Sequence, residues 1–409
     1  MTAWHPPGWD PSWLTPARLY ARNGFVRGTA QVARDAREAV RGWPRSPPPS
    51  AARDGPGAWV LVGGAGFLGA RIAARLLGED DDAPVVVVSR RPEAIADRMA
   101  DFLGRDRVAA LMASPRLLLV HADVARPADD WITCVPRADA VIHLAAAMHA
   151  LARWDALAPA NLDGLRGSVA LARRDDALLQ LGATLSVFVS SNAGRADRPE
   201  PLPECPDLWL HGGYAQTKAA AEYALLASGI GRRQVVRYGL LVPEPGAVFP
   251  PGHFAPAFAR ALRGVAALPD AAEQAAVDLT PVDAAVGAAI RLARAGRPGV
   301  YHCANPRSAL LADVVGALAA AAGELPVVAR ATWRERVTAL PAIPRTLLRS
   351  AFEKTRFLAD DAARVPLLNV DLFQATHRRF VPDGEPSELP DPAELLPGLA
   401  ASMLREEQG

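Results

Sequence analysis

Cysteine is scarce in this chain: Cys134, Cys205 and Cys303 are the only three in 409 residues, odd in number and far apart. That spacing excludes a disulfide framework or a cysteine-based zinc site and fits the reducing cytoplasm. No cluster of His, Cys or carboxylates has metal-ligand spacing, so no metal is expected. Excess charge of one sign is also missing, with 45 Lys and Arg against 44 Asp and Glu. Nucleic acid and anionic lipid are therefore poor partners, and a small or locally recognised ligand is favoured. No apolar run approaches the length of a membrane span, and no apolar signal core opens the chain, so neither a span nor secretion is expected. What is present is apolar bulk, half of all residues, enough for one large core or two unequal ones.

Residues 1–56 read as an N-terminal arm and linker, marked by Trp4, Trp9, Trp13, Trp43 and the stiff run Pro47-Pro48-Pro49. Within the arm, Thr29 to Val40 suits a short helix; the arm either packs on the main domain or docks a partner protein. Over 57–242, short apolar runs alternate with helix-like stretches, the pattern of βαβ units. Strands are predicted at Trp59–Val62, Val85–Ser89, Leu117–His121, Ala140–Leu144, Val187–Ser190 and Gln234–Tyr238. The fold class is thus α/β, a doubly wound parallel (Rossmann) sheet of order 3-2-1-4-5-6. Residues 243–409 lose this regularity and predict a smaller, mixed C-terminal substrate lobe, with some return to the main domain near 278–305.

Gly63, Gly66 and Gly69 follow the first apolar run with the spacing of a phosphate-binding turn. The first permits a tight turn, the second lets backbone amides approach a pyrophosphate, and the third lets helix and strand pack closely. The helix over Phe67–Leu77 then aims its first N–H groups, at Phe67, Leu68 and Gly69, towards the anion. The second strand ends Ser89-Arg90-Arg91, where an acidic residue would grip a free ribose 2′-hydroxyl and an arginine accepts a 2′-phosphate. NADP(H) is favoured over NAD(H), with Arg90 as main phosphate ligand and Arg91 second. The acidic run Glu79–Asp82 precedes that strand and belongs to the opposite edge of the sheet. Asp123, past the third strand, is placed either to accept from the adenine amino group or to cap its own turn.

Tyr214 and Lys218 stand one helical turn apart, so the ammonium can lower the phenol pKa and reach the nicotinamide ribose. Ser191, one residue past the predicted fifth strand, can hold the same substrate oxygen, while Ser190 caps the strand. The three form a predicted catalytic set for hydride chemistry at a carbonyl or alcohol carbon.

These residues resemble the short-chain dehydrogenase/reductase superfamily, and the glycine spacing that of its extended branch. More narrowly, the chain looks like the thioester reductase domains of nonribosomal peptide synthetases and carboxylic acid reductases. The matching stretches include Val62 to Gly69, Ala140-Val141-Ile142-His143-Leu144-Ala145-Ala146, Trp154 through Gly164, Gly212-Gly213-Tyr214-Ala215-Gln216-Thr217-Lys218, Asp278 to Asp283 and Tyr301 to Pro306. The resemblance implies an NADPH-dependent reductase acting on an acyl thioester carried by a carrier protein or coenzyme A and giving an aldehyde or alcohol. It also implies that Ala145 lines the cofactor, that Asn161 anchors a helix beside the lysine, and that Pro243 borders the nicotinamide. Two rival readings share the scaffold: an NAD(P)-dependent epimerase, dehydratase or hydroxysteroid-type dehydrogenase, and a cofactor-binding subunit without turnover. His143 is expected as a core histidine, His211 as a loop cap, and Asp283 as the cap of the helix that follows it.

Overall fold

The four consecutive valines Val85 to Val88 offer no polar side chain to water, and all four are buried in a strand covered on both faces. That strand belongs to a computed structural model that describes residues 26–43, 55–126, 130–148, 152–185, 209–211, 213–244, 247–249, 253–269, 276–305, 307–322, 325–341, 344, 348 and 389–404. In chain order the first elements are β1 (Val26–Gly28), α1 (Thr29–Arg41), β2 (Ala58–Val62), α2 (Phe67–Leu77), β3 (Val85–Ser89), α3 (Ile95–Ala100), α4 (Arg105–Met112), β4 (Leu117–His121) and β5 (Ala138–His143). Next come α5 (Trp154–Ala158), α6 (Leu165–Asp175), β6 (Leu178–Thr184), β7 (Trp209–His211), α7 (Gly213–Ala227), β8 (Arg233–Tyr238) and β9 (Leu241–Val242). The last are α8 (Phe254–Val265), β10 (Leu268–Pro269), β11 (Ala276–Asp278), β12 (Thr280–Pro281), α9 (Val282–Ala295), β13 (Gly299–Cys303), β14 (Ser308–Leu310), α10 (Leu311–Ala322), β15 (Val327–Val328), α11 (Arg330–Ala339) and α12 (Pro392–Leu404).

Seven strands form one sheet in the order β13-β8-β6-β5-β2-β3-β4, and every pairing in it is parallel. Its six central and right-hand members reproduce the expected 3-2-1-4-5-6; β13 adds a seventh beyond β8 that the apolar pattern had not marked. The fifth strand needs a correction. Its place between β5 and β8 is taken by Leu178–Thr184, not by Val187–Ser190, and residues 186–190 lie outside the described residues. The segment carries Gln180 and Gly182, which hide it from an apolar pattern. Inside the fold, Gln180 Nε2 donates to Gln234 Oε1 at 2.9 Å and to the Ala289 carbonyl at 3.1 Å, so the amide nitrogen of a polar residue finds partners in a buried strand while its Oε1 has none among the described residues.

Two apolar layers flank the sheet. One, built on Val60, Val62, Val141 and Leu179, packs against α1, α6 and α7. The other, built on Leu61, Val85, Val87 and Ile142, packs against α2 and α9. A third core, including Phe258, Leu262, Leu318, Trp333 and Leu399, unites α8, α10, α11 and α12 into the C-terminal lobe. The described part of the arm, 26–43, lies against the main domain: α1 buries Val32, Ala33 and Ala36 beside α7, and β1 pairs antiparallel with β7.

Candidate active site

Strand β2 lies between β5 and β3, where the chain's path across the sheet reverses, so a crevice opens at the carboxyl ends of β2 and β5. The glycine turn lines it. Gly63 has φ +83°, and a Cβ there would lie 2.6 Å from the Ala145 amide nitrogen, which itself donates to the Val62 carbonyl at 2.9 Å. A Cβ on Gly69 would meet the Gly64 Cα at 2.6 Å, so only glycine lets α2 start this close to the turn. Helix α2 begins at N-cap Gly66 with no side-chain cap, which leaves the amides of its first turn, at Phe67, Leu68 and Gly69, available to an anion. A dinucleotide pyrophosphate fits this cradle. Gly63→Ala is expected to cost about 1–3 kcal/mol in unfolding free energy and to weaken dinucleotide binding, both measurable by urea titration with and without cofactor.

Arg90 and Arg91 are exposed beyond the end of β3, and the Arg91 amide donates to Ser89 Oγ at 3.3 Å. No described acidic residue pairs with either arginine. Glu79 sits at the far edge, as expected, where it pairs with Arg75 and Arg294. Asp123 Oδ1 accepts from the Ala125 amide at 3.2 Å and Oδ2 lies 3.5 Å from Arg126, a capped turn at the end of β4.

Tyr214 opens α7 and Lys218 follows one turn later, with Lys218 buried and Tyr214 only partly so. The start of the helix is held from several directions. The Gly213 amide donates to the Ala152 carbonyl at 3.1 Å, and Gln216 Nε2 donates to Leu210 at 3.1 Å. Asn161 Nδ2 donates to Thr217 Oγ1 at 2.9 Å, while its Oδ1 accepts from the Ala147 amide at 2.6 Å. Asn161 thus ties the segment after β5 to the helix beside Lys218. Thr217, missed by pattern reading, is the other half of that tie; its position between Tyr214 and Lys218 was the available signal.

The electrostatics differ from expectation at one point. Lys218 Nζ donates to the Gly182 carbonyl of β6 rather than sitting on the phenol, and burial pushes Tyr214 up to about 12. Desolvation outweighs any help from the lysine, so in this arrangement Tyr214 is a neutral acid. Burial also lowers Lys218 to about 8, against a raising contribution from Glu222 one turn further on. His143 is a core histidine, its Nδ1 2.8 Å from Ser168 Oγ; burial first and the Lys218 charge second bring it down to about 3.

Ser191 and Gly212 lie outside the described residues, as does the side chain of His211. Pro243 is buried directly after β9. Asp283 does not cap α9, whose N-cap is Pro281 without a side-chain cap; its carboxyl instead lines a cavity with Glu244, and burial and the Glu244 charge raise it to about 6. The backbone of Pro281 is already committed to the β12–β9 bridge, which leaves Asp283 in the helix's first turn. Among the described residues no group of His, Cys, Asp and Glu could hold a metal ion, and no helix is long and apolar enough to cross a membrane.

A doubly wound parallel sheet, a glycine turn at its switch point and a Tyr–Lys helix at the same edge define an extended short-chain dehydrogenase/reductase, an NAD(P)-dependent oxidoreductase. The family model described as Male sterility protein matches residues 61–289, and the chain belongs to that family. Its fold is similar to the terminal R domain from the myxalamid PKS-NRPS biosynthetic pathway (22% identity, 87% of this chain and 100% of that one, TM-score 0.61). It is also similar to a thiolation-reductase di-domain from an archaeal nonribosomal peptide synthetase (18% identity, 92% and 79% of the two chains, TM-score 0.64). A third similar fold is the reductase domain of a nonribosomal peptide synthetase from Mycobacterium tuberculosis (17% identity, 87% and 98%, TM-score 0.59). The comparison with curated proteins found no match.

Proposed function

We propose that this protein is an NADPH-dependent reductase that converts an acyl thioester, presented on a carrier protein or on coenzyme A, to an aldehyde or, with a second hydride, an alcohol. The observation that carries the reading is Tyr214, neutral and partly exposed one helical turn before Lys218, which itself reaches Gly182 of β6, in a chain whose fold is similar to reductase domains over most of its length. One of those neighbours joins a thiolation domain to its reductase, which supports a carrier-bound substrate here. Cys134 and Cys303, the cysteines among the described residues, are in no disulfide, which fits a cytoplasmic setting.

The bound cofactor supplies a hydride to the thioester carbonyl carbon. Gly63, Gly66 and the first-turn amides of Phe67, Leu68 and Gly69 hold its pyrophosphate, with Ala145 against the turn. Arg90, seconded by Arg91, takes the 2′-phosphate, and Asp123 accepts from the adenine. Tyr214 donates its proton to the carbonyl oxygen, Ser191 steadies that oxygen, and Lys218 adds positive charge and reaches the ribose. The resulting hemithioacetal then loses its thiol, and the C-terminal lobe contains the acyl chain. No acidic residue stands at the end of β3, which disfavours the NAD-retaining epimerases on this scaffold.

The test is purified protein with NADPH or NADH and a panel of acyl-coenzyme A and acyl-carrier thioesters, following cofactor absorbance and thiol release together. Cofactor oxidation matched by thiol release is the expected result; oxidation without thiol, or none with any thioester, would overturn the reading. Arg90→Ala should weaken NADPH binding by about 2 kcal/mol, close to thirtyfold, by loss of a charged hydrogen bond. NADH affinity should stay unchanged, and an equal loss for both cofactors would remove Arg90 from the phosphate.

A further inference from the structure

Arg71 is the least expected side chain in α2. It lies two residues past Gly69, on the face turned to the core, and is 4% exposed. A guanidinium cannot leave water without partners. Its guanidinium stacks over the rings of Phe67 and Phe102, at 4.5 and 4.2 Å, and its Nη1 donates to the Phe67 carbonyl at 3.2 Å. Its Nε and Nη2 fork onto the two carboxylate oxygens of Glu244 at 3.3 and 3.0 Å. Asp283 lines the same cavity wall as Glu244, and burial together with the Glu244 charge favours a proton on its carboxyl.

Three distant segments meet here. Phe67 is the first residue of the helix whose amides form the phosphate cradle; Glu244 follows Pro243 where the chain leaves β9 for the C-terminal lobe; Asp283 starts α9. A cavity of about 640 Å³ adjoins the cluster. Its other charged walls are Arg75 from α2, Asp101 beyond α3, itself paired with Arg98, and Arg107 from α4.

We propose that Arg71 is a positioning residue for the pyrophosphate turn, held in place by the Glu244–Asp283 carboxyl pair, so that the proton on this pair tunes how firmly the turn is set for a dinucleotide. The proposal rests on reading Gly63 to Gly69 as that turn. With the proton present, Glu244 carries the one negative charge that Arg71 needs, and Asp283 is neutral. Without the proton, two carboxylates repel across the gap between the lobe and α9, and Arg75 compensates only from a distance. Burial and the Glu244 charge bring Asp283 up to about 6, inside the range where a cell or an assay buffer can move it.

Binding of ADP-ribose, which carries the pyrophosphate but no 2′-phosphate or hydride chemistry, tests this on the full chain without a substrate. Wild-type affinity should fall several-fold as pH rises through about 6, whereas Asp283→Asn, whose amide is neutral at every pH, should hold the tighter value throughout. Arg71→Met should weaken ADP-ribose binding about tenfold at pH 5.5, and Arg71→Lys should recover only part of it because an ammonium lacks the fork. The same pH profile in wild type and Asp283→Asn overturns the proposal, and so does wild-type affinity in Arg71→Met. Should Arg71→Met not fold, the Asp283→Asn profile decides alone. Failure of every thioester in the turnover assay leaves this result standing, while absence of ADP-ribose binding by the wild type would overturn the turn assignment and the proposal together.

Discussion

Tyr214→Phe should bind NADPH as the wild type does and turn over about 10²- to 10⁴-fold more slowly, the usual worth of a positioned proton donor. The hydroxyl is the only group lost, and the helix that carries it is held by contacts the ring does not make: Gly213 to Ala152, Gln216 to Leu210, Asn161 to Thr217. Cofactor titration by fluorescence and single-turnover absorbance separate binding from chemistry. Near-normal turnover would remove Tyr214 from its role. The pH dependence carries a second check. Tyr214 stays protonated up to about 12, so the phenol is a competent acid throughout the physiological range. Lys218, lowered to about 8 by burial, loses its charge as pH rises through that value, and the reductive rate should fall there. The same depression bears on stability with a definite sign. Below pH about 8 the folded chain must hold an ammonium that the unfolded chain, at the ordinary 10.5, carries more readily, and this penalty fades between about 8 and 10.5.

The largest stability change should come from Arg237→Leu. Arg237 on β8 and Glu222 on α7 are both fully sequestered, joined at 2.6 Å between Nη2 and Oε2 with Nε shared at 3.1 Å. Removing the arginine alone strands a buried carboxylate and should cost about 3–5 kcal/mol, whereas replacing both residues with leucine should recover most of it. Urea unfolding of the two single variants and the double variant measures this directly; a single variant within about 1 kcal/mol of wild type would show that water reaches the pair. Because Glu222 raises Lys218, the double variant should also move the alkaline fall in rate to lower pH.

The sheet was largely legible before the structure. Val85–Ser89 and Leu117–His121 appear as strands at their predicted bounds, and the predicted order 3-2-1-4-5-6 holds within the seven-stranded sheet. Local apolar runs between turn signals carry that information: Val85–Ser89 is buried on both faces and has no wet face to interrupt it, while Leu117–His121 keeps an apolar run although it is the edge strand and partly exposed. The fifth strand was misplaced for the converse reason: Leu178–Thr184 contains a glycine, and a glutamine whose amide nitrogen finds its partners in Gln234 and Ala289, more than fifty residues away. Pairing of β1 with β7 was equally invisible, since three residues make no pattern until their partner strand is beside them. At the site, the turn Gly63–Gly69 and the spacing of Tyr214 and Lys218 were readable because turn geometry and helical pitch tie function to adjacent positions.

By itself the sequence determined that this chain builds a doubly wound sheet, opens the helix after Val62 with a glycine turn and sets a tyrosine one helical turn before a lysine. These are properties of neighbours along the chain. The tertiary structure alone decided where Lys218 finds its partner, at Gly182 instead of Tyr214, why Asp283 faces Glu244 instead of capping its helix, and how Arg71 can be buried. Each depends on desolvation and on which distant backbone lies across the gap, and neither quantity exists until the chain has folded.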